Sequence, residues 1–280
     1  VQWASDFMND LQVTKEKQRS FETRYLRPDS ISELEEEFRT SERSLFLLDY
    51  DGTLVPYYKN PLDSAPSPEL LEILAKLSAD PHNEMYIISG RKSVQLDNWL
   101  GHLNLNIVAE HGAKIRLKDS VSWNAQPVLN EEVRESALRF MTRITSRCPG
   151  SMIEEKEYSL VWHYRAASPE LGRIRATELI LDLNEAFAHS HYKAFPGNKI
   201  VEFKTIDIHK GKIVKDLVAQ NDFDFILCMG DDITDEDMFN SLASTQAWTI
   251  KVGNDFSFSR FNIPASADAV GLLKTLVNET

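Results

Sequence analysis

Short apolar runs alternate with longer amphipathic stretches along the chain from residue 45 onwards. The runs are Leu45–Leu48, Met85–Ile88, Asn106–Ala109, Phe225–Met229 and Trp248–Val252. Each is followed by a polar or glycine-containing turn, as expected of parallel strands that are buried on both faces. The stretches between them predict helices, one of which begins at Ser67-Pro68, where serine caps a helix and proline suits the first helical position. The pattern therefore predicts an α/β fold, a doubly wound parallel sheet covered by helices on both faces.

The middle of the chain follows another pattern. Amphipathic stretches at Glu131–Arg147 and Pro169–His189 predict two long helices. The second is predicted to bury Leu171, Ile174, Leu183 and Phe187. Strands are predicted at Met152–Arg165, as a hairpin turning near Glu157, and at Tyr192–Lys204. Residues 123–206 are therefore predicted to form an α+β cap domain, inserted between the third and fourth strands of a core made of residues 41–122 and 207–280. Such an insertion would lie over the carboxyl ends of the strands, where α/β proteins bind ligands.

Residues 1–40 are polar and rich in charge, with the acidic run Glu33–Glu37 and a proline at Pro28. They predict one or two surface helices leading into the core from an upstream domain. The pattern leaves open whether they form a solvated linker or a helix docked on the core. Because the chain opens at Val1 rather than methionine, we expect it to be part of a longer protein.

Composition and charge narrow the function classes. The chain is 42% hydrophobic and 26% charged, as in ordinary globular proteins, and no apolar run approaches the roughly 20 residues of a membrane helix. Its net charge of −12 disfavours nucleic acid and anionic membranes as partners, so an anionic substrate would need local positive charge. The only cysteines, Cys148 and Cys228, form no disulfide framework, and we expect a reducing, cytoplasmic location.

The first chemical signal is Asp49-Tyr50-Asp51-Gly52-Thr53, directly after the first apolar run. Aspartates are poor strand formers, and two of them here suggest a functional reason. Asp49 is predicted to attack phosphorus and form an acyl phosphate. Asp51 is predicted to protonate the leaving oxygen and then to deprotonate the attacking water. Gly52 would let the chain turn close to the phosphate. Taken alone, the segment also fits a polar turn after a strand.

The second signal is the acidic segment Gly230–Asp237, directly after the fourth run. So many carboxylates facing Asp49 would repel one another without a cation, and oxygen-only ligands favour Mg²⁺ over Zn²⁺. Asp231 is predicted to be a direct ligand, together with Asp49 and a backbone oxygen of Asp51. Asp235 is predicted to belong to the metal site as support behind these ligands. The alternative is a solvated helix start, where acidic residues are favoured.

Two weaker signals are Ser89-Gly90-Arg91, after the second run, and Lys210, at the start of a predicted helix. Ser89 would offer its hydroxyl to a phosphoryl oxygen and Lys210 would lie close by, although a turn with an N-cap and a solvated lysine are the simpler alternatives. In a parallel sheet the carboxyl ends of all strands share one edge, so these groups and the aspartates must be neighbours. Together they supply the positioning and charge neutralisation that phosphoryl transfer requires.

These four elements resemble the four motifs of the haloacid dehalogenase superfamily of phosphatases. A more specific resemblance to the trehalose-6-phosphate phosphatase family is carried by Asp49–Val55, residues 60–68, Ile88–Arg91, Ala109–Gly112 and Gly230–Phe239. It extends over residues 42–280 and implies Mg²⁺-dependent hydrolysis of trehalose 6-phosphate, the last step of trehalose biosynthesis. Residues 1–7 resemble the end of the glucosyltransferase-like domain that precedes the phosphatase in fungal and plant members. The resemblance therefore implies the C-terminal module of a fungal protein, with a trehalose synthase complex as a candidate partner.

The resemblance also implies substrate-binding residues in the predicted cap. The family's cap patterns match Glu154-Glu155-Lys156, His163-Tyr164-Arg165 and residues 197–202. By resemblance, the sugar hydroxyls would be bound by Glu154, Lys156, Arg165 and Glu202, and Lys210 would be the lysine that faces the phosphate. Gly90, Arg91 and His111 are further substrate-binding candidates, although His111 alternatively caps a strand. From the residues alone, the charges of the cap also fit a solvated face.

Two other functions remain to be weighed. Another capped phosphatase of the same superfamily, acting on sucrose phosphate or a mannosyl phosphate, would share the catalytic residues and differ in the cap. A non-catalytic regulatory module would be expected to lack some of Asp49, Asp51, Lys210 and Asp231, and all four are present. We also expect the cap to close over a bound disaccharide, because a sheet edge alone does not bury two sugar rings.

Overall fold

The computed structural model describes residues 24–58, 63–197 and 199–277. The chain divides into two compact units, one made of the residues up to Asn124 together with those from Lys210 onwards, and the other of Ala125–His209. The predictions made for residues 1–7, for the start of the segment 60–68 and for Asn198 lie outside the described residues. Within the described residues, no helix is both long and apolar enough to cross a membrane.

The elements within the described residues are numbered in chain order. The strands are β1 (Arg24–Tyr25), β2 (Ser44–Asp49), β3 (Asn83–Ile88), β4 (Asn106–Ala109), β5 (Lys114–Arg116), β6 (Asn124–Ala125), β7 (Met152–Glu155), β8 (Ser159–His163), β9 (Tyr192–Gly197), β10 (Ile200–Thr205), β11 (Phe225–Gly230), β12 (Trp248–Val252) and β13 (Phe261–Ile263). The helices are α1 (Pro28–Thr40), α2 (Pro68–Ala79), α3 (Ser93–Leu100), α4 (Glu131–Thr145), α5 (Pro169–Ala186), α6 (Lys210–Gln220), α7 (Glu236–Ser241) and α8 (Ser266–Val277).

The first unit is built on a sheet with the strand order β1-β13-β12-β11-β2-β3-β4-β5-β6. In this spatial order, every pair of neighbouring strands from β1 through β11 and β2 to β4 is parallel, whereas β5 runs antiparallel to β4. The five predicted apolar runs are the central strands β2, β3, β4, β11 and β12, which confirms the predicted α/β fold with a mostly parallel sheet. The short strands β1, β5, β6 and β13 were not predicted, because they are brief and carry few apolar side chains.

The central strand β2 shows why its sequence is apolar without alternation. Phe46 and Leu48 belong to the hydrophobic cluster on one face of the sheet, which includes residues of α1, α2 and α8. Leu45 and Leu47 belong to the cluster on the other face, which includes residues of α6 and α7. A strand that is buried on both faces needs mainly apolar side chains along its length. Because these side chains pack on both sides, the strand is held in place, and so is the polar residue at its end.

Helix α1 is docked on the core rather than solvated. Phe38 is 5% exposed, and its ring lies 5.6 Å from that of Phe46 and 5.3 Å from that of Phe225. The indole nitrogen of Trp248 donates a hydrogen bond to Glu37 at 2.6 Å. Pro28 is the first residue of α1, a position where proline's missing N–H costs nothing. Residues 28–40 are therefore part of the fold of the first unit.

The second unit contains an antiparallel sheet with the strand order β7-β8-β10-β9, and its apolar cluster includes residues of α4 and α5. Strands β7 and β8 form the hairpin predicted near Glu157. The stretch Tyr192–Lys204, predicted as strand, is a second hairpin whose turn includes Lys199 at φ 61°. The prediction that Ile174 is buried is wrong: it is 63% exposed, because α5 turns Gly172, Ala176, Leu179 and Leu183 inwards. The predicted cap, residues 123–206, lies largely in this unit, and its closure over a substrate stays a prediction.

Candidate active site

Polar residues follow neighbouring strands of the parallel sheet at the same edge. Strand β2 ends at Asp49, which pairs in register with Ile88, the last residue of β3 before Ser89. Strand β11 flanks β2 on the other side and ends at Gly230, directly before Asp231. The sheet therefore brings together the loops that carry the predicted nucleophile, the serine and the acidic segment.

Asp49 is buried, with 4% of its surface exposed. Its Oδ1 accepts a hydrogen bond from Lys210 Nζ at 2.6 Å, whereas its Oδ2 accepts none from the described residues. Lys210 Nζ also donates to Asp235 Oδ1 at 2.7 Å. Burial alone would lower the pKa of Lys210, but the charges of Asp235 and Asp49 raise this pKa well above its ordinary value. Lys210 is therefore a fixed positive charge beside the Asp49 carboxylate.

Asp235 shapes the loop that follows β11. It is fully buried, and its Oδ2 accepts hydrogen bonds from the backbone nitrogens of Asp231 at 2.8 Å and of Asp232 at 3.0 Å. A Cβ at Gly230 would overlap the Asp235 side chain, so only glycine allows this close approach. With the hydrogen bond from Lys210, Asp235 accepts three hydrogen bonds in all. These bonds fix its carboxylate against the loop, so it can support the loop.

Asp49, Asp231 and Asp235 each offer a carboxylate oxygen within 4.8 Å of the others, among the described residues. Burial raises the pKa of Asp49 well above its ordinary value, and the negative charges of Asp235 and Asp231 raise it further against the opposing effect of Lys210. Burial and the charge of Asp235 also raise the pKa of Asp231 to about 6. Three carboxylates beside one lysine leave uncompensated negative charge.

The donor set fits a hard divalent cation. All the donors are carboxylate oxygens, as Mg²⁺ and Ca²⁺ prefer, and Asp49 Oδ2 is a buried acceptor that receives no hydrogen bond from the described part of the chain. The contribution predicted for the backbone oxygen of Asp51 stays a prediction.

The turn after β2 packs directly on Asp231. Gly52 has φ 85°, and a Cβ there would overlap the Asp231 carboxylate. Thr53 is fully buried and its hydroxyl lies 3.4 Å from Asp231 Oδ1. The hydroxyl of Tyr57 also donates a hydrogen bond to Asp231. The contacts of Thr53 and Tyr57 were not predicted; the threonine directly after Gly52 was the available signal, and none pointed to Tyr57.

Asp51 is held by Arg91. The guanidinium donates from Nε to Asp51 Oδ2 at 2.6 Å and from Nη2 to Oδ1 at 2.5 Å. It lies over the ring of Trp99, 4.8 Å from the centroid, and Trp99 stacks against Tyr50. Bidentate pairs of this kind are strong and fix both partners in orientation. The two residues were predicted to be the acid–base residue and a substrate ligand, and their mutual pairing was not predicted.

The loop after β3 is joined to the turn after β4. Ser89 is buried, and its hydroxyl accepts a hydrogen bond from the backbone nitrogen of Arg91 at 3.2 Å. The backbone nitrogen of His111 donates to the carbonyl of Ser89 at 2.9 Å. A Cβ at Gly90 would overlap the imidazole of His111. The structure therefore brings Ser89, Gly90, Arg91 and His111 together at the same edge as Asp49.

The predicted sugar-binding residues lie in the second unit. Glu154 on β7 and Glu202 on β10 both pair in register with Val161 on β8, which places them on one face of the antiparallel sheet. Glu154 contacts His163 Nε2 at 2.9 Å. Lys156 follows β7 in the hairpin turn, and Arg165 follows β8. Whether these residues bind a sugar stays a prediction.

The contacts of Glu202 were not predicted. Its carboxylate accepts hydrogen bonds from Ser159 Oγ at 2.9 Å and from Lys204 Nζ at 2.9 Å. The spacing of two residues between Glu202 and Lys204 on one strand was a signal for this pair, because alternate residues share a face.

Comparisons with known proteins agree with this geometry. The trehalose-phosphatase family model matches residues 47–269. An alpha,alpha-trehalose-phosphate synthase [UDP-forming] B of Dictyostelium discoideum is 37% identical over 98% of this chain and 35% of its own length. A trehalose-phosphatase of Zygosaccharomyces rouxii is 37% identical over 88% of this chain and 30% of its own. Among solved structures, Aspergillus fumigatus trehalose-6-phosphate phosphatase has a TM-score of 0.78 and 34% identity, covering 92% of this chain and all of that one.

These comparisons set the level at which the chain is identified. It spans about a third of the length of the curated relatives that it matches. The relatives come from several organisms, among them a Dictyostelium, a Thermoproteus and an Arabidopsis, so the expected fungal origin stays a prediction. The match of the family model to most of the chain is decisive for the family. The chain belongs to the trehalose-phosphatase family.

Proposed function

We propose that the chain hydrolyses trehalose 6-phosphate to trehalose and phosphate through a phosphorylated aspartate. Membership of the trehalose-phosphatase family supports the substrate. The observation that carries the chemistry is the state of Asp49, a buried carboxylate with one oxygen bound to Lys210 and the other accepting no hydrogen bond from the described residues. A carboxylate held in this way is oriented for attack and is already stripped of water on one side.

In the first step Asp49 attacks phosphorus. A bond forms between its carboxylate oxygen and phosphorus, and the bond from phosphorus to the sugar oxygen breaks. Asp51 gives a proton to the departing sugar oxygen, which leaves as an alcohol. Ser89 donates a hydrogen bond to a phosphoryl oxygen, and Lys210 offsets the charge that Asp49 and the phosphoryl group share.

In the second step water attacks the phosphorus of the acyl phosphate. Asp51, now ionised, takes a proton from this water, and the bond from phosphorus to Asp49 breaks with its electron pair returning to the carboxylate. Inorganic phosphate leaves, and Asp51 is again protonated. One residue thus serves as acid and then as base.

The proposed cofactor is Mg²⁺, held by Asp49 and Asp231 with Asp235 behind them. When bound, the ion supplies positive charge that neutralises the phosphoryl oxygens. The acidic cluster supports this assignment, because the raised pKa values of Asp49 and Asp231 both reflect negative charge that a cation would offset.

The disaccharide is proposed to contact Glu154, Lys156, Arg165 and Glu202. Carboxylates accept hydrogen bonds from neighbouring hydroxyls and cations donate to sugar oxygens, so such a set rejects an analogue that lacks a hydroxyl. The shared face of Glu154 and Glu202 on one sheet supports their acting together.

The test is release of phosphate from trehalose 6-phosphate, sucrose 6-phosphate and mannose 6-phosphate, each with Mg²⁺ and with EDTA. We expect Mg²⁺-dependent release with trehalose 6-phosphate strongly preferred. Asp49→Asn should lose at least about a thousandfold in kcat, since it removes the nucleophile. Asp216→Asn, at an exposed carboxylate on α6, is the matched control. Equal release of phosphate by Asp49→Asn and the parent would exclude Asp49 from the mechanism. Preference for another of the three esters would assign that ester, and not trehalose 6-phosphate, as the substrate.

A cytoplasmic location and a place in a trehalose synthase complex are further parts of the proposal. Both cysteines are buried free thiols, which suits a reducing compartment. The chain matches about a third of a relative that is named a trehalose-phosphate synthase. Co-purification of the full-length protein with synthase activity from cytosolic extract would support both; recovery in a membrane or secreted fraction would contradict the location.

A further inference from the structure

Two successive residues at the active-site edge adopt a left-handed backbone. Glu110 has φ 52° and His111 has φ 58°, and neither is glycine. Residues other than glycine rarely adopt this conformation, and two in a row persist only where the surrounding structure imposes them. The strain therefore has to be explained by the contacts that it makes possible.

The strained turn ties two loops together through its backbone. Glu110 donates its N–H to the carbonyl of Arg91 at 3.0 Å, and His111 donates its N–H to the carbonyl of Ser89 at 2.9 Å. Both ends of the loop Ser89–Arg91 are thus fastened to the turn after β4. An ordinary right-handed turn would point these two N–H groups elsewhere.

The imidazole of His111 packs against the middle of the same loop. A Cβ at Gly90 would overlap its Nε2 and Cε1 atoms. The backbone of Gly90 does not have a positive φ, so its conformation is open to any residue, and the ring of His111 is what excludes a side chain. The ring also lies close enough to Asp232 to interact with it electrostatically, so the loop after β11 is near the same turn.

We propose that His111 is a positioning residue for phosphate binding. Its backbone and imidazole together hold Ser89, Gly90 and Arg91 in the shape that receives the phosphoryl group. This inference rests on the proposed function, since it assigns the loop to a phosphoryl group. It differs from a direct contact of His111 with the sugar and from simple capping of a strand. Small displacements of a loop that orients a reacting group are known to reduce rates strongly.

The test is a double-mutant cycle with the parent, Gly90→Ala, His111→Gly and the double variant. Glycine suits the left-handed backbone at position 111, so His111→Gly removes the ring while relieving strain, and we expect Tm to change by less than about 3 °C. Alanine at position 90 has room only when the ring is gone. His102→Asn, at an exposed histidine in the loop after α3, is the control.

Three quantities are measured for each protein: kcat and KM for p-nitrophenyl phosphate with Mg²⁺, the inhibition constant of inorganic phosphate, and the rise in Tm that inorganic phosphate with Mg²⁺ produces. We expect each single substitution to lower kcat/KM and phosphate affinity by about tenfold, and Gly90→Ala to change them by less than about twofold when His111 is already glycine. A purely structural role would lower Tm in proportion and would leave phosphate affinity unchanged.

The outcomes separate this inference from the proposed function. Parent kinetics in His111→Gly, or losses that simply add in the double variant, would overturn the role of His111 even in an active enzyme. A parent that hydrolyses no ester, yet shows the same coupling in phosphate-dependent Tm, would overturn the function and leave the role of His111 standing. A parent with neither turnover nor a phosphate-dependent rise in Tm would overturn both.

Discussion

Arg91 holds Asp51 through two parallel hydrogen bonds, from Nε and Nη2 to the two carboxylate oxygens. A carboxylate that accepts both hydrogen bonds is held in one orientation with both oxygens acting as acceptors, as in a base. The geometry therefore suits the second step of the proposed reaction, in which Asp51 takes a proton from water. For the first step the pair has to loosen, and a phosphoryl group bound nearby would compete for the guanidinium.

The first prediction concerns this pair. Arg91→Lys keeps the charge but loses the bidentate geometry, and we expect kcat on trehalose 6-phosphate to fall by about tenfold or more. The loss should be smaller on p-nitrophenyl phosphate, whose leaving group departs without a proton. The measurement is the ratio of kcat values for the two esters, parent against variant.

The chain offers a matched control for this substitution. Arg116 also pairs with an aspartate, Asp97, at 2.7 Å, and lies over a tryptophan ring, that of Trp123. Arg116→Lys should lower Tm about as much as Arg91→Lys without changing the ratio of the two kcat values. Equal losses on both esters in Arg91→Lys would contradict the orienting role of the pair.

Two adjacent aspartates are predicted to have opposite effects on stability. The pKa of Asp231 is raised to about 6, first by burial and then by Asp235, so this acid is less stable when ionised in the folded protein. For Asp232, burial is outweighed by Lys210 and by two hydrogen bonds from Thr234, and its pKa is lowered. Ionised Asp232 therefore stabilises the fold above its ordinary pKa, and this contribution is lost as the pH falls.

The sign of each substitution follows for the metal-free protein at pH 7.5. Asp231→Asn removes a charge that destabilises the fold above pH 6, and Tm should rise by about 2–4 °C, as expected for ~1 kcal/mol in a domain of this size. Asp232→Asn removes a stabilising charge and should lower Tm. Thermal unfolding in EDTA at pH 7.5 and pH 5 measures both, and the gain from Asp231→Asn should shrink at the lower pH. A fall in Tm for both variants would contradict the assigned environments.

Mg²⁺ should reverse the order of the Tm values of these two variants. A cation held by Asp49 and Asp231 binds only the folded protein, so Mg²⁺ should raise the Tm of the parent. The same ion should leave the Tm of Asp231→Asn nearly unchanged, whereas Asp232→Asn should retain most of the rise. Titration of Tm with Mg²⁺ over the micromolar to millimolar range makes the comparison, and an equal rise in all three proteins would remove Asp231 from the metal site.

The central strands could be predicted from sequence because burial on both faces leaves mainly apolar residues. Trp248–Val252 and Asn106–Ala109 were predicted to the residue for that reason. The strands β1, β5 and β6 are only two or three residues long and mostly polar, so their apolar content falls to that of a loop. The error at Ile174 has a similar origin: Gly172 and Ala176 face the core of the second unit, and small residues give a weak hydrophobic pattern.

The candidate site could be predicted where it depends on strand ends and not where it depends on side-chain pairing. Asp49, Asp231 and Asp235 come together because parallel strands end at one edge, which sequence order implies. The pairing of Arg91 with Asp51 joins residues 40 positions apart, and several carboxylates at this edge were equal candidates on sequence alone. The guanidinium also lies over the ring of Trp99, and the structure rather than the sequence shows which carboxylate it pairs with.

Lys210 is predicted to be required for stability as well as for chemistry. Its Nζ is the positive charge between buried Asp49 and Asp235, so Lys210→Met leaves two buried carboxylates uncompensated and should cost about 3 kcal/mol or more. Adding Asp235→Asn removes one of these charges and should restore part of the lost Tm. The control is Lys212→Met, an exposed lysine on the same helix. No recovery in the double variant would contradict the account of the buried cluster.

The docking of α1 leads to a prediction about the extent of the first unit. Phe38 packs against Phe46 and Phe225, side chains from the amino-terminal part of two adjacent central strands, so α1 covers the two strands that lead to Asp49 and Asp231. Phe38→Ala should therefore lower the free energy of unfolding by about 3–5 kcal/mol. Phe256→Ala, at a ring that is 63% exposed, should change it by less than about 0.5 kcal/mol. Urea unfolding measures both, and a Phe38→Ala variant as stable as the Phe256→Ala control would return residues 28–40 to the role of a linker.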